Sequence, residues 1–213
     1  MNKFSRGLFW TALIVALLIG IARLTCIRWW RVPTNDPWLE ASMAPSVSPG
    51  DWVLLWRLTE PIYGDLVLCP EPNAPRVVVG RIVGEGGDRV HLKDGNVLVN
   101  DRPIQSIRAC TETNFTVAHP QTGETVDQRC AMRLVGSTLH ESGELSGHEV
   151  RPIDIERTVP AGEVFLLSDN LLFPYDSRDY GTVARSTCKE TVVFRLWVQE
   201  GWGGSKHRLE FIR

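Results

Sequence analysis

The chain has 213 residues, of which 43% are hydrophobic and 23% are charged, and its formal net charge is -2. This composition fits one or two globular domains plus a short hydrophobic segment. It excludes the strongly basic field that nucleic-acid-binding domains present, so no nucleic-acid partner is expected.

The first hydrophobic segment runs from Leu8 to Ala22 and follows Lys3 and Arg6. Its 15 uncharged residues fall short of the roughly 20 that a spanning helix needs, unless the helix crosses Arg23 as far as Ile27. A basic start before an apolar core is typical of both an uncleaved membrane anchor and a cleaved signal peptide. No small-x-small cleavage pattern follows, which favours the anchor. Basic residues on both sides leave its orientation open.

The rest of the chain predicts short strands. Apolar or β-branched runs, bounded by Gly, Pro and Asp, occupy residues 51–58, 65–70, 76–83, 162–170 and 191–198. Residues 89–104 alternate around "KDGN" and predict a hairpin. No long stretch after the first segment has helical periodicity, so the expected fold is mainly β, an all-β domain behind one N-terminal transmembrane helix.

The expected organisation has two parts. Residues 1–31 form a cytoplasmic end and a transmembrane anchor, in which Trp29 and Trp30 act as an interfacial belt. Residues 32–213 form the β domain, with an insertion at about 105–159 that is polar and lacks clear periodicity.

Cys110 and Cys130 bracket a polar stretch within the insertion. They are either a disulfide, as an exported domain would favour, or two free thiols. The chain has no C-x-x-C motif and no His/Cys spacing typical of zinc, so no metal site is expected.

A serine lies in the small-residue stretch "EASMAPSVSPGDWVLL", soon after the hydrophobic segment. A lone serine is far more often a turn residue or a cap than a nucleophile. The Ser-Met-x-Pro spacing at Ser42, Met43 and Pro45 favours a nucleophile.

With these residues in view, the sequence resembles the bacterial type I signal peptidases over nearly its whole length. Four family motifs occur in order. The nucleophile motif Ser-Met-x-Pro-Thr matches with Ser46 in place of Thr, and "YGDLVL" matches the second motif. The third and fourth motifs are matched by Arg81, Gly84, Gly87 and Asp88, and by Asp169, Asn170, Asp176, Ser177, Arg178, Gly181 and Val183.

The resemblance implies a membrane-anchored serine endopeptidase with a Ser/Lys dyad and an all-β catalytic domain. Its partners would be the signal peptides of exported preproteins and the lipid bilayer, and it would need no cofactor. It would cross the bacterial cytoplasmic membrane once, with the catalytic-type domain on the extracytoplasmic side. Ser42 would be the nucleophile. The groove and its support would include Met43, Pro45, Arg81, Asp88, Asp169, Asp176 and Arg178, the last two as an ion pair.

Two linked positions depart from the family. The dyad lysine is replaced by Gly80. An alignment shifted by one residue would place Arg81 at that position instead. The guanidinium of Arg81 stays protonated and cannot accept a proton. The serine that hydrogen-bonds this lysine in the family is replaced by Pro174, which has no hydroxyl. A third, milder departure is Glu40, two residues before Ser42, where some members add a hydroxyl to the oxyanion hole.

The other titratable groups offer no obvious base. The candidates are Lys3, Lys93, Lys189, Lys206, His91 and Glu40. Three hypotheses follow: a divergent active peptidase with an unidentified base, a non-catalytic relative that binds signal-peptide segments or regulates an active paralogue, and an unrelated structural β domain. The four ordered motifs disfavour the third.

Overall fold

The computed structural model describes residues 3–93, 95–144, 154–198 and 209–212. Its helices are α1 Lys3–Thr25, α2 Pro37–Met43 and α3 Ser177–Tyr180, with a 3₁₀ turn at Arg185–Thr187. Its strands are β1 Ile27–Arg31, β2 Trp52–Trp56, β3 Leu66–Pro70, β4 Val77–Glu85, β5 Arg89–Lys93, β6 Asn96–Val99, β7 Arg102–Pro103, β8 Ser106–Ala118, β9 Thr125–Val135, β10 Thr138–Gly143, β11 Asp154–Thr158, β12 Glu163–Leu167, β13 Val183–Ala184, β14 Glu190–Trp197 and β15 Glu210–Phe211.

Three sheets make up the body of the molecule, and the expectation of a mainly β fold is confirmed. The largest has the order β1-β2-β14-β3-β4-β12-β13, with β15 beside β14. The second has the order β11-β5-β6-β7 and contains the predicted hairpin, and the third has the order β10-β9-β8. The short helices α2 and α3 were not predicted, because each is too short to show a period in the sequence.

The helix α1 contains the predicted apolar segment and ends at Thr25. Within the described residues, no helix combines the length and the apolar composition that a membrane span requires.

The first strand corrects the expected end of the N-terminal segment. Ile27 lies in β1, not in a continued helix, and β1 pairs antiparallel with β2 from Ile27–Trp56 to Arg31–Trp52. Trp29 and Trp30 are therefore residues of the main sheet. The sheet begins before the boundary expected at residue 31, because the aromatic and β-branched residues of "IRWWR" suit a strand.

The region expected as an insertion contains regular structure. The strands β8, β9 and β10 form a sheet of their own, whereas β11 pairs with β5, from Asp154–Lys93 to Thr158–Arg89. The last part of the region thus belongs to the hairpin sheet. Residues 145–153, which include His148, lie outside the described residues.

Two disulfides cross-link neighbouring segments of the chain. The bridge between Cys110 and Cys130 is present and links β8 to β9. The bridge between Cys69 and Cys188 joins β3 to the residue before Lys189, just ahead of β14. The sequence alone does not predict this second bridge, because its two cysteines are 119 residues apart. Among the described residues Cys26 is the free cysteine.

The helix α2 is seated on the main sheet by one of three hydrophobic clusters. Leu39 and Met43 project from α2 into a buried cluster with Val53, Leu55 and Val79 of the sheet. Asp36 caps the helix by accepting a hydrogen bond from the Leu39 N–H, at 3.1 Å, and Pro37 occupies the first turn. This packing holds the last turn of α2, and Ser42 in it, against the sheet.

Candidate active site

Ser42 lies in the last turn of α2 and is almost completely buried, with 1% of its surface exposed. Its hydroxyl donates to the Leu39 carbonyl at 3.2 Å. The Asn170 N–H donates to the Ser42 carbonyl at 2.9 Å, which ties the helix end to the loop after β12. The Ser42 proton is therefore held within its own helix.

No base hydrogen-bonds to the Ser42 hydroxyl within the described part of the chain. His91 and Lys93 both face Asp154 on β11, at 2.7 Å and 4.0 Å. Lys189 is exposed, and Lys206 lies outside the described residues. Lys3 lies at the start of α1.

Glu40 is the remaining candidate. Burial raises the pKa of its carboxyl, which makes it a better proton acceptor than an ordinary glutamate. However, residues i and i+2 of a helix do not face one another, so Glu40 is poorly placed for Ser42.

Gly80 occupies the middle of β4, opposite Val67 of β3, and is buried. A Cβ at this position would lie 2.9 Å from the Leu166 Cβ and 3.5 Å from the Leu167 carbonyl. Atoms of β12 therefore fill the space in which a lysine stem would begin. Pro174 is half-buried in the loop ahead of Asp176.

The motif residue Met43 lies in the hydrophobic core and does not line a groove. We expected it to line a groove, but it is 1% exposed and belongs to the core cluster below α2. The reason is helical geometry: Leu39 and Met43 are four residues apart, so they share the buried face of α2. Pro45 follows the helix and is half-buried.

Asp88 closes a turn. Its carboxylate accepts hydrogen bonds from the Glu85 N–H at 2.8 Å and from the Asn100 side chain at 2.7 Å. These contacts join the end of β4 to the hairpin β5–β6, so the structure assigns Asp88 a local supporting position.

Arg81 and Asp169 form a buried ion pair, each with a side chain 1% exposed. Two guanidinium nitrogens donate to the two carboxylate oxygens at 2.8 Å each, and a third donates to the Gly64 carbonyl at 2.7 Å. The Ser46 hydroxyl donates to the same carboxylate. His140 adds its Nε2 at 3.5 Å. Three of the four matched motifs thus meet at one carboxylate.

The charge on this carboxylate is stabilised by its partners. Burial alone would raise the pKa of Asp169, but the Arg81 charge and the hydrogen bonds from Arg81 and Ser46 outweigh it and hold the pKa below its ordinary value. Asp169 is therefore ionised at neutral pH.

His140 was not singled out from the sequence, because it lies outside the family motifs. Burial, together with the nearby charges of Arg81 and Arg133, lowers the pKa of His140 to about 3, and Asp169 opposes this only in part. The imidazole is consequently neutral at pH 7. His140 therefore contacts the Asp169 carboxylate as a neutral ring.

We expect His140 to make the protein less stable in mild acid. The unfolded chain takes up a proton near pH 6.5 and the folded chain does not, so its contribution is intact above pH 6.5 and declines as the pH falls toward 3. The slope is at most about 1.4 kcal/mol per pH unit. Urea unfolding at pH 7, 6 and 5 measures the free energy of unfolding of wild type and His140→Gln. This free energy should depend less on pH in the variant. An equal pH dependence of the unfolding free energy in the two proteins would contradict a buried, neutral His140.

Asp176 and Arg178 form the expected ion pair, at 2.7 Å. Asp176 also caps α3 and accepts a hydrogen bond from the Ser168 N–H at 2.8 Å. Burial would raise the pKa of Asp176, but Arg178 outweighs it and the pKa is lowered. The pair fastens the loop that contains Pro174 to the end of β12.

Comparisons with known proteins agree with the motifs. The family model described as signal peptidase, peptidase S26, matches residues 5–197. The chain is 22% identical over 203 residues to Signal peptidase I of Streptococcus pneumoniae serotype 4, covering 92% of this chain and 96% of that protein. It is 25% identical over 199 residues to Signal peptidase I of Bacillus caldolyticus, covering 92% and 93%.

A crystal structure of a signal peptidase I from Enterococcus faecalis V583 aligns with a TM-score of 0.42 and 19% identity, over 63% of this chain and 97% of that one. Because the family model matches far more than half of the sequence, this chain belongs to the signal peptidase family, peptidase S26.

Proposed function

We propose that this protein recognises signal-peptide segments of exported preproteins but does not hydrolyse them through a Ser/Lys dyad. The observation that carries the proposal is the packing at Gly80, where the first atom of any side chain would meet Leu166 at 2.9 Å. A serine hydroxyl is a weak nucleophile until a neighbouring base accepts its proton. The hydroxyl of Ser42 instead donates to the Leu39 carbonyl.

Recognition is supported by what the family scaffold retains. The helix that carries Ser42 is packed on the sheet, and the Arg81–Asp169 pair beneath it is intact. The relatives are named signal peptidases, so their substrates are proteins that carry signal peptides. Such a segment would bind as an extended strand. A bound but uncut segment would also allow the protein to regulate an active paralogue.

The proposed location is the bacterial cytoplasmic membrane, with α1 as the single anchor in the lipid bilayer and the β domain on the extracytoplasmic side. Large apolar side chains along α1 are exposed, among them Leu8, Trp10 and Leu17. The two disulfides support an oxidising compartment for the β domain.

A second candidate function is hydrolysis with Glu40 as the base, which the raised pKa of its carboxyl favours. Its position on α2 disfavours it, because it lies two residues from Ser42.

We expect purified wild type and Ser42→Ala to leave a preprotein uncut and to crosslink to its signal peptide equally well. Incubation with the preprotein in detergent, read out by gel electrophoresis and photo-crosslinking, measures both quantities. Cleavage by wild type that is lost in Ser42→Ala would overturn the non-catalytic proposal. If that cleavage were also lost in Glu40→Gln, the second candidate would be supported.

A further inference from the structure

The edge of β14 is only partly covered by its neighbours. On one side β14 pairs with β2 along Thr191–Trp197, and on the other it pairs with β3 only at Glu190 and Thr191. Beyond that point, within the described residues, the second edge is taken up by β15, with Phe194 opposite Phe211 and Arg195 opposite Glu210. An edge of this kind accepts an added strand through main-chain hydrogen bonds.

The C-terminal residues show the side-chain chemistry that the edge accepts. The Glu210 carboxylate lies 4.0 Å from the guanidinium of buried Arg195. The Phe211 ring stacks edge-on against Phe194, with centroids 5.0 Å apart. Ile212 packs against the core cluster below α2, and its N–H donates to the Val193 carbonyl at 3.1 Å. The accepted pattern is therefore acidic, aromatic, aliphatic.

Two cavities adjoin the strand β15. One, of about 250 Å³, is lined by Ser46, His140 and Arg195, and the other, of about 670 Å³, by Gly64, Arg81 and Thr138. Leu139, Phe211 and Ile212 line both cavities. Both cavities also adjoin β14, through Arg195 in the first and residues 191–193 in the second.

The attachment of β15 is slight. Within the described residues its ladder spans two residues, with one further main-chain hydrogen bond from Ile212, and Phe211 remains 65% exposed despite its stacking contact. A short ladder with exposed side chains opens at low free-energy cost. Eleven residues, 199–209, separate β15 in sequence from Val198, so its departure need not disturb β14.

We propose that the β14 edge is a strand-acceptor site for an extended peptide with an acidic residue followed by an aromatic and an aliphatic one, and that β15 occupies the site until such a partner replaces it. This inference does not depend on hydrolysis, because the site uses main-chain pairing and Arg195, not Ser42.

The test uses the full chain and a fluorescein-labelled peptide with the sequence of residues 207–213, "HRLEFIR". In the variant Phe211→Ser with Ile212→Ser the internal competitor is weakened, and we expect the Kd from fluorescence anisotropy to be at least about tenfold lower than for wild type. Leu209→Ser is the matched control, since Leu209 precedes β15 and is 60% exposed. It should bind as wild type does.

Glu210→Lys offers a second variant with an exposed, non-core change, and it should also tighten peptide binding because it reverses the charge beside Arg195. Equal affinity of wild type and both variants would overturn the proposal. Equal binding of a peptide in which serine replaces the aromatic and aliphatic residues would overturn it as well. Wild type could instead form a dimer in which two copies exchange β15. If such a dimer forms and binds no peptide, the proposal of a separate peptide partner is overturned.

Discussion

A chain that carries both Gly80→Lys and Pro174→Ser is expected to cleave a preprotein that wild type leaves uncut. The gain over any residual wild-type rate should be at least ~10²-fold, the lower end of what a positioned general base contributes. The family resemblance places the base and its hydrogen-bond partner at these two positions. A lysine enclosed by β3, β4 and β12 would lose hydration, and its pKa would fall toward the working pH.

The structure adds a steric condition to this expectation. A lysine Cβ would meet the Leu166 Cβ at 2.9 Å, and the Leu166 Cδ1 lies 3.7 Å from the same point. The strands must separate by a few tenths of an ångström, so the double variant should also be less stable. Adding Leu166→Gly removes the Cβ at 2.9 Å and should raise the cleavage rate further.

The matched control is Gly80→Met with Pro174→Ser, which has a side chain of similar length without an amine. It should remain inactive, and Ser42→Ala should abolish the gained activity. Preprotein cleavage is measured by gel electrophoresis, and thermal unfolding verifies that each variant is folded. If the folded double and triple variants stay inactive, Gly80 is not the vacated base position.

Arg81→Met is expected to lower the free energy of unfolding by about 3–5 kcal/mol, because it leaves the Asp169 carboxylate buried without its counter-charge. Both side chains are 1% exposed, and Arg81 also supplies the hydrogen bond to the Gly64 carbonyl. The loss would loosen the contact between the start of β3 and the end of β12. Guanidinium chloride unfolding followed by circular dichroism measures it.

Arg89→Met is the matched control on the surface. Arg89 pairs with Asp101, and the two side chains are 46% and 77% exposed. Exposed pairs contribute about 0–1 kcal/mol, so this change should be nearly neutral. Similar losses in the two variants would refute the assignment of Arg81 and Asp169 as the main buried ion pair of the site.

The family and seven of the fifteen described strands follow from the amino-acid sequence alone. Apolar or β-branched runs predicted β2, β3, β4, β12 and β14. Alternation with a period of two predicted the hairpin β5–β6. Ordered motifs identified the signal peptidase family, and the register of the resemblance predicts Gly80 and Pro174 at the positions of the dyad lysine and its hydrogen-bond partner. These predictions need only the order and type of residues along short stretches of the chain.

The contacts between distant residues became known only from the three-dimensional packing. It placed Met43 in the core, brought Leu166 against Gly80, and set His140 beside Asp169. It also joined Cys69 to Cys188, 119 residues away, and laid β15 along β14. These contacts depend on how separate strands register across a sheet, which no local period encodes. The sequence thus predicts that Gly80 stands at the position of the dyad lysine, whereas only the packing of β12 shows that Leu166 fills the space beside it.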